Sequence, residues 1–467
     1  MPYAFNDVEG APREQLSRAA LENLQCNVLR PAGRYYSRQA FVRFEEGAAL
    51  RTWLSNLSAT SHTRGGDDAN ISTLLFTKRG LVKLGVPAAL LDKMDPAFFR
   101  GARNDDTLKK LRDPSPQNWG DHGLGWDAAH LTFSYDAPAP AALPPSCVAE
   151  LGNALDRNGR VVTDATEGDG RFGHFGHRDG ISNPVFEPSV PEQKYERWDP
   201  RRPLSTLVVK DPLAAGGVES AFGSYFVFRK YRQNVAEFEK RVADIRDEIL
   251  KRRDDGHVPS FEGRFPDFAG LEGDALVAKI KAWIVGRDLE GRLVSQNGNG
   301  AVSNDFDYSD DPSGAVCPFS GHARKMAPRL ATADAVAIRR QTLARRGVPY
   351  GTVDTPDNVG LLFWCAQADI ENQFEFSQQR FANNDQEGSN LEFPPSPDLD
   401  SLIGRIDPGP AFENVTDAYP ATSRWWRWKS TIDVPFEVWK TVTLCGSEYF
   451  FAPSLAGIER LKEGNFK

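Results

Sequence analysis

In the first half of the chain, segments with the apolar spacing of a helix are followed by segments with the apolar spacing of a strand. Apolar positions spaced for an amphipathic helix run from Arg13 to Leu29, and the alternation that follows, from Ala40 to Phe44, predicts a strand. Further along, the same patterns predict strands at Ser72–Phe76 and Leu131–Tyr135, and helices at Lys78–Leu84 and from Pro87 onward. Helices and strands therefore succeed one another, which favours a mixed α and β protein.

A second series of elements follows the proline- and arginine-rich stretch Trp198–Pro203. It comprises strands at Ser205–Val209 and Gly223–Arg229, a long helix at Val235–Arg252, and further elements at Asn358–Cys365 and Asn372–Ala382. The two halves repeat a similar order of elements. We therefore expect duplicated α+β domains, residues 1–203 and 204–467, each a sheet with helices on one face.

The segment from roughly Phe265 to Arg329 is rich in Gly, Asn and Asp and has little periodicity. Long connections without secondary structure inside a compact protein usually serve a function, so we interpret this segment as a functional loop. Its acidic run Asn304–Asp311 offers oxygen ligands of the kind that calcium prefers. The ligand spacing of an EF-hand loop is missing, which argues against a calcium site.

Composition and charge fit a globular protein and argue against a nucleic-acid partner. Hydrophobic residues make up 40% of the 467 positions and charged residues 26%, with both signs interspersed and a formal net charge of -8. Groups of Lys and Arg are interrupted by acids, as in Lys251–Asp255, so no basic stripe is available to follow a phosphate backbone.

Membrane association and secretion are also disfavoured by the sequence. No window approaches the roughly 18 apolar residues that a membrane span needs, and Met1 to Val8 has no signal-peptide pattern. Five cysteines lie far apart without a CxxC pair, which argues against a disulfide framework or a zinc knuckle. We therefore expect no membrane partner and a reducing, cytoplasmic location. The oligomeric state stays open, a homo-oligomer included.

One acid stands between two glycines in the segment Phe175–Pro184. Gly180 permits a tight turn or a close approach of the backbone to a ligand, and Pro184 fixes the exit of the chain, so the carboxylate of Asp179 can face a pocket. The alternative is an Asx turn on a surface loop. These residues alone do not decide between a positioned acid and a surface turn.

His322 is the one histidine of seven that sits in a defined setting, after Pro318 and Gly321 and before a run of cations. An axial haem ligand requires a neutral imidazole near groups that can neutralise the propionates, and this segment supplies both. A structural histidine with satisfied hydrogen bonds is the alternative.

Arg345 and Arg346 precede a Gly-Val-Pro-Tyr-Gly turn. A guanidinium held in a dry pocket stabilises negative charge that develops on a peroxide oxygen. Cations at the C-terminal end of a helix are the alternative explanation of this pair.

A different metal site competes for the segment around Asp179. His174, His177 and Asp179 together resemble the two-histidine, one-carboxylate set of a non-haem iron or zinc site, as in a hydrolase or oxygenase. The intervening glycines disfavour a regular helix that would present these ligands, and no further strong ligand is obvious elsewhere.

Taken in order, these segments resemble the dye-decolourising peroxidase (DyP-type) family. The hallmark Gly-x-x-Asp-Gly motif of that family corresponds here to Gly176-His-Arg-Asp179-Gly180. The other matching segments are Leu24–Arg30, Gly223–Lys230, Asn304–Tyr308, Cys317–Lys325, Arg345–Gly351, Gly360–Phe363 and Gly446–Ser454. The resemblance spans nearly the whole chain, and the ordered set is far more specific than any one segment.

The resemblance implies two ferredoxin-like α+β domains with antiparallel sheets, in a dimeric α+β barrel-like architecture, with one haem b in the second domain. It implies that His322 is the proximal iron ligand and Asp179 the distal acid. It also implies that Arg345 is the distal arginine beside the haem, with Arg346 as the fallback. His174 corresponds to a histidine that lies near a haem propionate in longer members of the family.

Two positions depart from the family pattern. His177 stands where a hydrophobic residue is more usual, which would place a further titratable group near the distal pocket, and Asn183 replaces a common glutamine. Members usually pair the proximal imidazole with a carboxylate, which pushes electron density towards the iron. Asp385 and Glu387 are the sequence candidates for that carboxylate.

The implied activity is peroxidase chemistry on hydrogen peroxide and small organic reductants. Asp179 would move a proton between the peroxide oxygens, Arg345 would stabilise the leaving hydroxide, and dyes or phenolics would then be oxidised in one-electron steps. Surface relay through aromatic residues such as Trp425, Trp426 and Trp428 competes with ordinary packing of these side chains. The alternative function is a haem-binding or haem-handling protein with incidental peroxidase activity.

Overall fold

The structure of the chain is a computed structural model. It describes residues 16–138, 144, 147–162, 172–186, 197–214, 219–254, 270–294, 302–311, 316–329, 339–383, 399–405 and 438–466.

The strands in these residues form a sheet in which every pairing is antiparallel. Their bounds are β1 Tyr36–Val42, β2 Ile71–Phe76, β3 Ala128–Ser134, β4 Cys147–Asn153, β5 Val209–Lys210, β6 Phe222–Gln233, β7 Ala344–Arg345, β8 Val348–Tyr350, β9 Gly360–Gln367 and β10 Val442–Ala452. The strand order is β5-β6-β10-β2-β3-β1-β4-β8-β9-β7, and β6 also pairs with β9. Because of this last pairing, the sheet closes into a ring.

The helices lie in the connections between these strands. The α-helices are α1 Arg18–Asn23, α2 Gly47–Ser55, α3 Lys78–Lys83, α4 Ala88–Leu91, α5 Pro96–Arg100, α6 Asp105–Leu111, α7 Val235–Asp254, α8 Gly273–Val285, α9 His322–Met326 and α10 Leu455–Glu463. Short 3₁₀ segments are Pro116–Leu124, Leu204–Thr206 and Val438–Thr441. Two consecutive π-helical segments are Ile370–Glu375 and Ser377–Ala382.

Alternation along the strands divides the apolar core between the two faces of the ring. Phe41 of β1, Phe228 of β6 and Trp364 of β9 belong to one buried cluster, and the ring centroids of Phe41 and Phe228 lie 4.6 Å apart. The neighbouring residues Val227 and Cys365 belong to a second cluster, with the helices α2 to α5. One cluster therefore fills the inside of the barrel, and the other covers its outside.

The α+β class and the antiparallel sheets are confirmed. The strands predicted around Ala40, Ser72, Leu131 and Gly223, and the long helix from Val235, are present with bounds shifted by a few residues. The sequence did not predict β4, β10 and α10 as elements. The division into residues 1–203 and 204–467 stays a prediction, since the ring joins strands of both halves.

Two sequence predictions about elements were wrong. The stretch Ser205–Val209 is a 3₁₀ turn that leads into the short β5, because Pro203 fixes an N-terminal turn there. Phe265–Arg329 is not a continuous loop, since it contains α8 with a buried face of Leu276, Ile280 and Trp283.

Candidate active site

His322 is the first residue of α9, and it faces a carboxylate from a distant part of the chain. Its Nδ1 lies 2.9 Å from Oδ2 of Asp400, and the side chain of His322 remains 30% exposed. With Nδ1 directed at Asp400, Nε2 is the ring atom left to bind a partner. The contact with Asp400 thus fixes the orientation of the imidazole ring.

Asp400 is fully buried, and its second oxygen, Oδ1, accepts hydrogen bonds from the amides of Leu402 and Ile403 at 2.9 Å each. Burial alone raises the pKa of this carboxyl. The charge and hydrogen bond of His322 and the two amides outweigh burial, so the pKa of Asp400 lies below its ordinary value. An ionised Asp400 therefore orients the ring of His322.

Asp400 is the candidate site residue that sequence reasoning missed. The sequence candidates for this carboxylate, Asp385 and Glu387, lie outside the described residues. Asp400 is separated from His322 by 78 positions. No local motif marks this aspartate, so the only available signal was the general expectation of a carboxylate partner.

The segment 172–186, which we call the aspartate loop, carries Asp179. Gly176 and Gly180 adopt positive φ angles of 82° and 83°, which glycine reaches without steric cost. The amide of Gly180 donates a hydrogen bond of 2.6 Å to Oδ1 of Asp179. This hydrogen bond holds the carboxylate in a local turn. Because the side chain is 50% exposed, the carboxylate is still accessible to a reactant.

Arg345 and Arg346 point to different surroundings. Nη1 of Arg345 lies 4.0 Å from Oδ1 of Asp179, and its side chain is 35% exposed. Arg346 is buried and donates to the carbonyl oxygens of Asn27 and Val28 at 2.8 and 2.5 Å. The structure therefore brings Arg345 and Asp179 together and uses Arg346 to anchor the backbone.

The two histidines of the aspartate loop do not join Asp179. Nε2 of His174 lies 2.8 Å from the carbonyl oxygen of Tyr350 and so donates to it, and burial lowers the pKa of this imidazole. His177 is buried, with Lys281 of α8 as a charged neighbour, and burial lowers its pKa to about 4. Both imidazoles are therefore neutral near neutral pH and support the loop.

The alternative metal sites find no support in the described residues. No group of three or more His, Cys, Asp or Glu side chains in that part of the chain is arranged to hold a metal ion. In the acidic run, Oδ1 of Asp305 accepts from the amide of Arg197, and the guanidinium of Arg197 contacts Asp307 and Asp310. These carboxylates thus have protein partners.

Among the described helices, none combines the length and the apolar character that a membrane crossing needs.

Comparison with known proteins identifies the family of the chain. The family model described as "Dyp-type peroxidase, C-terminal" matches residues 175–393. The chain is 32% identical to the multifunctional dye peroxidase DyP2 of an Amycolatopsis species, over 94% of this chain and 96% of the relative. It is 28% identical to the dye-decolorizing peroxidase msp1 of Mycetinis scorodonius, over 82% of this chain and 74% of the relative.

A solved structure gives the same result for the fold. The crystal structure of a DyP-type peroxidase from an Anabaena species superimposes with a TM-score of 0.73 and 25% identity, covering 95% of each chain. The chain therefore belongs to the DyP-type peroxidase family. It is a peroxidase, and its substrates are hydrogen peroxide and a reductant.

Proposed function

We propose that this peroxidase carries haem b on Nε2 of His322. The observation that supports this proposal is the contact between Nδ1 of His322 and the buried Asp400, which fixes the ring and leaves one imidazole nitrogen open. Bound there, haem b would supply the electrons that reduce hydrogen peroxide and would recover them singly from organic donors.

Asp179 and Arg345 are the proposed catalytic pair. The half-exposed carboxylate of Asp179 accepts a proton from one oxygen of hydrogen peroxide and delivers it to the other oxygen, which leaves. Arg345, 4.0 Å from that carboxylate, stabilises the negative charge on the leaving oxygen. Because Arg346 is bound to backbone carbonyls, it is poorly suited to this role.

His174 is proposed to lie beside a haem propionate. Its Nε2 hydrogen is donated to the carbonyl of Tyr350, so a neutral ring offers only the lone pair of Nδ1. A lone pair does not bind a carboxylate directly. We therefore expect a bridging water or a protonated propionate at this contact.

Organic dyes and phenolics are the proposed donors, because the named relatives are dye peroxidases. A cytoplasmic location is proposed from the five cysteines, all of which are unpaired. The second candidate function is haem handling with incidental turnover, and it also requires His322. The two functions differ in whether the haem-loaded protein oxidises donors.

The test is a haem titration followed by peroxide-dependent oxidation of an anthraquinone dye and a phenol. We expect His322→Ala to lose the Soret band at haem concentrations that saturate the wild type. Asp179→Asn and Arg345→Leu should keep the band and lower peroxide cleavage by on the order of 10²-fold. Asp310→Asn, which removes an exposed carboxylate bound to Arg197, is the control for loss of a charge.

Each outcome separates the alternatives. A haem-loaded wild type that oxidises neither donor would favour haem handling. A Soret band that survives His322→Ala would move the iron ligand elsewhere. If Asp179→Asn left peroxide cleavage intact while Arg345→Leu abolished it, the proton-transfer role of Asp179 would be rejected.

A further inference from the structure

Arg287 is a buried arginine that follows the C-terminal end of α8, and it reaches the aspartate loop directly. Its Nη2 donates to Oγ of Ser182 at 2.9 Å and to the carbonyl of Ser303 at 3.0 Å, and its Nη1 donates to the carbonyl of Gly291 at 2.6 Å. A planar guanidinium fixes the relative geometry of all three partners. One of them, Ser182, lies three positions after Asp179.

The turn that Arg287 closes, residues 287–293, also packs against the aspartate loop. The amide of Arg178 donates to the carbonyl of Leu289 at 3.1 Å. Gly291 has a φ of 91°, which favours glycine, and it packs closely against the side chain of Ile181. Residues on both sides of Asp179, Arg178 through its backbone and Ile181 and Ser182 through their side chains, therefore contact the same turn.

The preceding residue contacts the other side of the site. A Cβ at Gly286 would lie 3.1 Å from Cβ of Ala323, the neighbour of His322 in α9. Ser401, next to Asp400, donates to the carbonyl of Ile284 at 2.7 Å. The end of α8 thus touches the segments that carry His322 and Asp400, and Arg287 connects that end to the loop of Asp179.

The charge of Arg287 also acts near the catalytic pair. Burial lowers its pKa to about 10, with Tyr308 opposing this effect and the positive charge of Arg345 adding to it. The guanidinium is therefore protonated at neutral pH. A second cation lies within electrostatic reach of Arg345 and adds positive potential where negative charge develops.

We propose that Arg287 is a positioning residue that holds Asp179 opposite Arg345 by clamping Ser182 to the end of α8. The consequence for peroxide cleavage rests on the proposed function. The proposed clamping rests on the hydrogen bonds of Arg287 and is independent of the proposed function. Arg287 acts through the aspartate loop, since its hydrogen bonds go to Ser182, Gly291 and Ser303.

The first experiment measures hydrogen–deuterium exchange of the aspartate loop in haem-free protein. Arg287→Lys keeps the positive charge but removes the planar guanidinium that donates to three partners. Ser182→Ala removes only the hydrogen bond between Arg287 and Ser182. Both should raise exchange in residues 176–184 by about tenfold, as expected for loss of a charge-assisted hydrogen bond. Arg292→Lys is the matched control in the same turn, because the exposed side chain of Arg292 pairs with Asp288 and Glu290, and it should not change exchange.

The second experiment uses the haem-loaded variants. Arg287→Lys and Ser182→Ala should lower kcat/KM for hydrogen peroxide by about tenfold while leaving the Soret band and KM for the organic donor unchanged. If residues 176–184 exchanged at the wild-type rate in both variants, the proposed clamp would be overturned. A loosened loop with unchanged peroxide kinetics would overturn the positioning role. If Asp179→Asn alone retained full activity, the proposed function would fail while the exchange result would stand.

Discussion

At the scale of single residues, His177 shows how burial turns a sequence anomaly into a pH-sensitive element. The imidazole is buried, with Lys281 and Asp288 as its charged neighbours, and burial lowers its pKa from 6.5 to about 4. Between these pH values the unfolded chain binds a proton that the folded chain excludes. Stability at neutral pH is therefore lost as the pH falls through this window.

We expect the free energy of unfolding of haem-free protein to fall by up to about 3 kcal/mol between pH 7 and pH 4 because of His177. His177→Leu should flatten the pH profile by that amount, since leucine has no proton to gain. Urea unfolding at several pH values measures both profiles. Parallel curves for wild type and variant would contradict the assignment.

Arg345 and Arg346 also separate at this scale. Arg345 ends β7 opposite Cys365, whereas the amide of Arg346 donates to the carbonyl of Trp364 at 2.7 Å. Successive residues of an extended chain point to opposite sides, so one guanidinium reaches Asp179 and the other enters the core. The sequence identifies the pair, and the backbone direction places Arg345 beside Asp179.

At the scale of elements, the segment 399–405 is docked on the end of the second π-helical segment. The amide of Asp400 donates to the carbonyl of Ala382 at 2.9 Å, and the amide of Arg405 donates to Oδ1 of Asn383 at 2.9 Å. The π-helical segments cover Asn372–Ala382, where the sequence predicted an element of secondary structure without specifying its type. π-helical turns occur frequently at functional sites, and this one supports the partner of His322.

A buried ion cluster ties α6, β6 and this segment together. Asp113, just after α6, accepts hydrogen bonds from Arg229 of β6 at 3.0 and 2.5 Å. It also accepts one from Arg405 at 3.0 Å. The side chains of Asp113 and Arg229 are fully buried. Removing the carboxylate would leave two guanidinium groups buried without this partner.

We therefore expect Asp113→Ala to lower the free energy of unfolding by about 3–5 kcal/mol. Denaturant unfolding of the haem-free variant measures the change. Glu22→Ala, which removes the partner of Arg18 in an exposed pair of α1, should stay within about 0.5 kcal/mol. Equal effects of the two substitutions would show that the buried cluster has no special weight.

At the scale of the whole molecule, the closed ring makes the two halves share one core. Phe41, from the first half, packs against Phe228, Trp364 and Phe450 of the second half. The strand β10 lies between β6 and β2, so the C-terminal strand closes the barrel against the first half. Neither half buries this core alone, and we expect the barrel to unfold as one unit.

Phe41→Ala should therefore lower stability by about 3–5 kcal/mol and shift a single thermal transition of the full chain. Differential scanning calorimetry and near-UV circular dichroism follow the shift. Phe99→Ala, at an exposed phenylalanine, is the control and should move the transition much less. A second thermal transition whose midpoint is unchanged by Phe41→Ala would indicate that residues 1–203 and 204–467 are independent domains.

Local sequence alone predicts the alternation of helices and strands, because the hydrophobic period depends on neighbouring residues. It also determined the ordered motifs of the family, including Asp179, His322 and Arg345, since each lies in a segment that is specific by its local residues. It did not predict α8 within the glycine-rich stretch, and the barrel-like closing of the sheet was expected only from the resemblance to the family.

Three roles emerge only from the folded chain: Asp400 orients His322, Arg346 anchors the backbone, and Arg287 is proposed to clamp the aspartate loop. The contacts that decide these roles join residues 78, 319 and 105 positions apart. At such separations, sequence spacing places no constraint on which side chains meet. The folded backbone alone sets those distances.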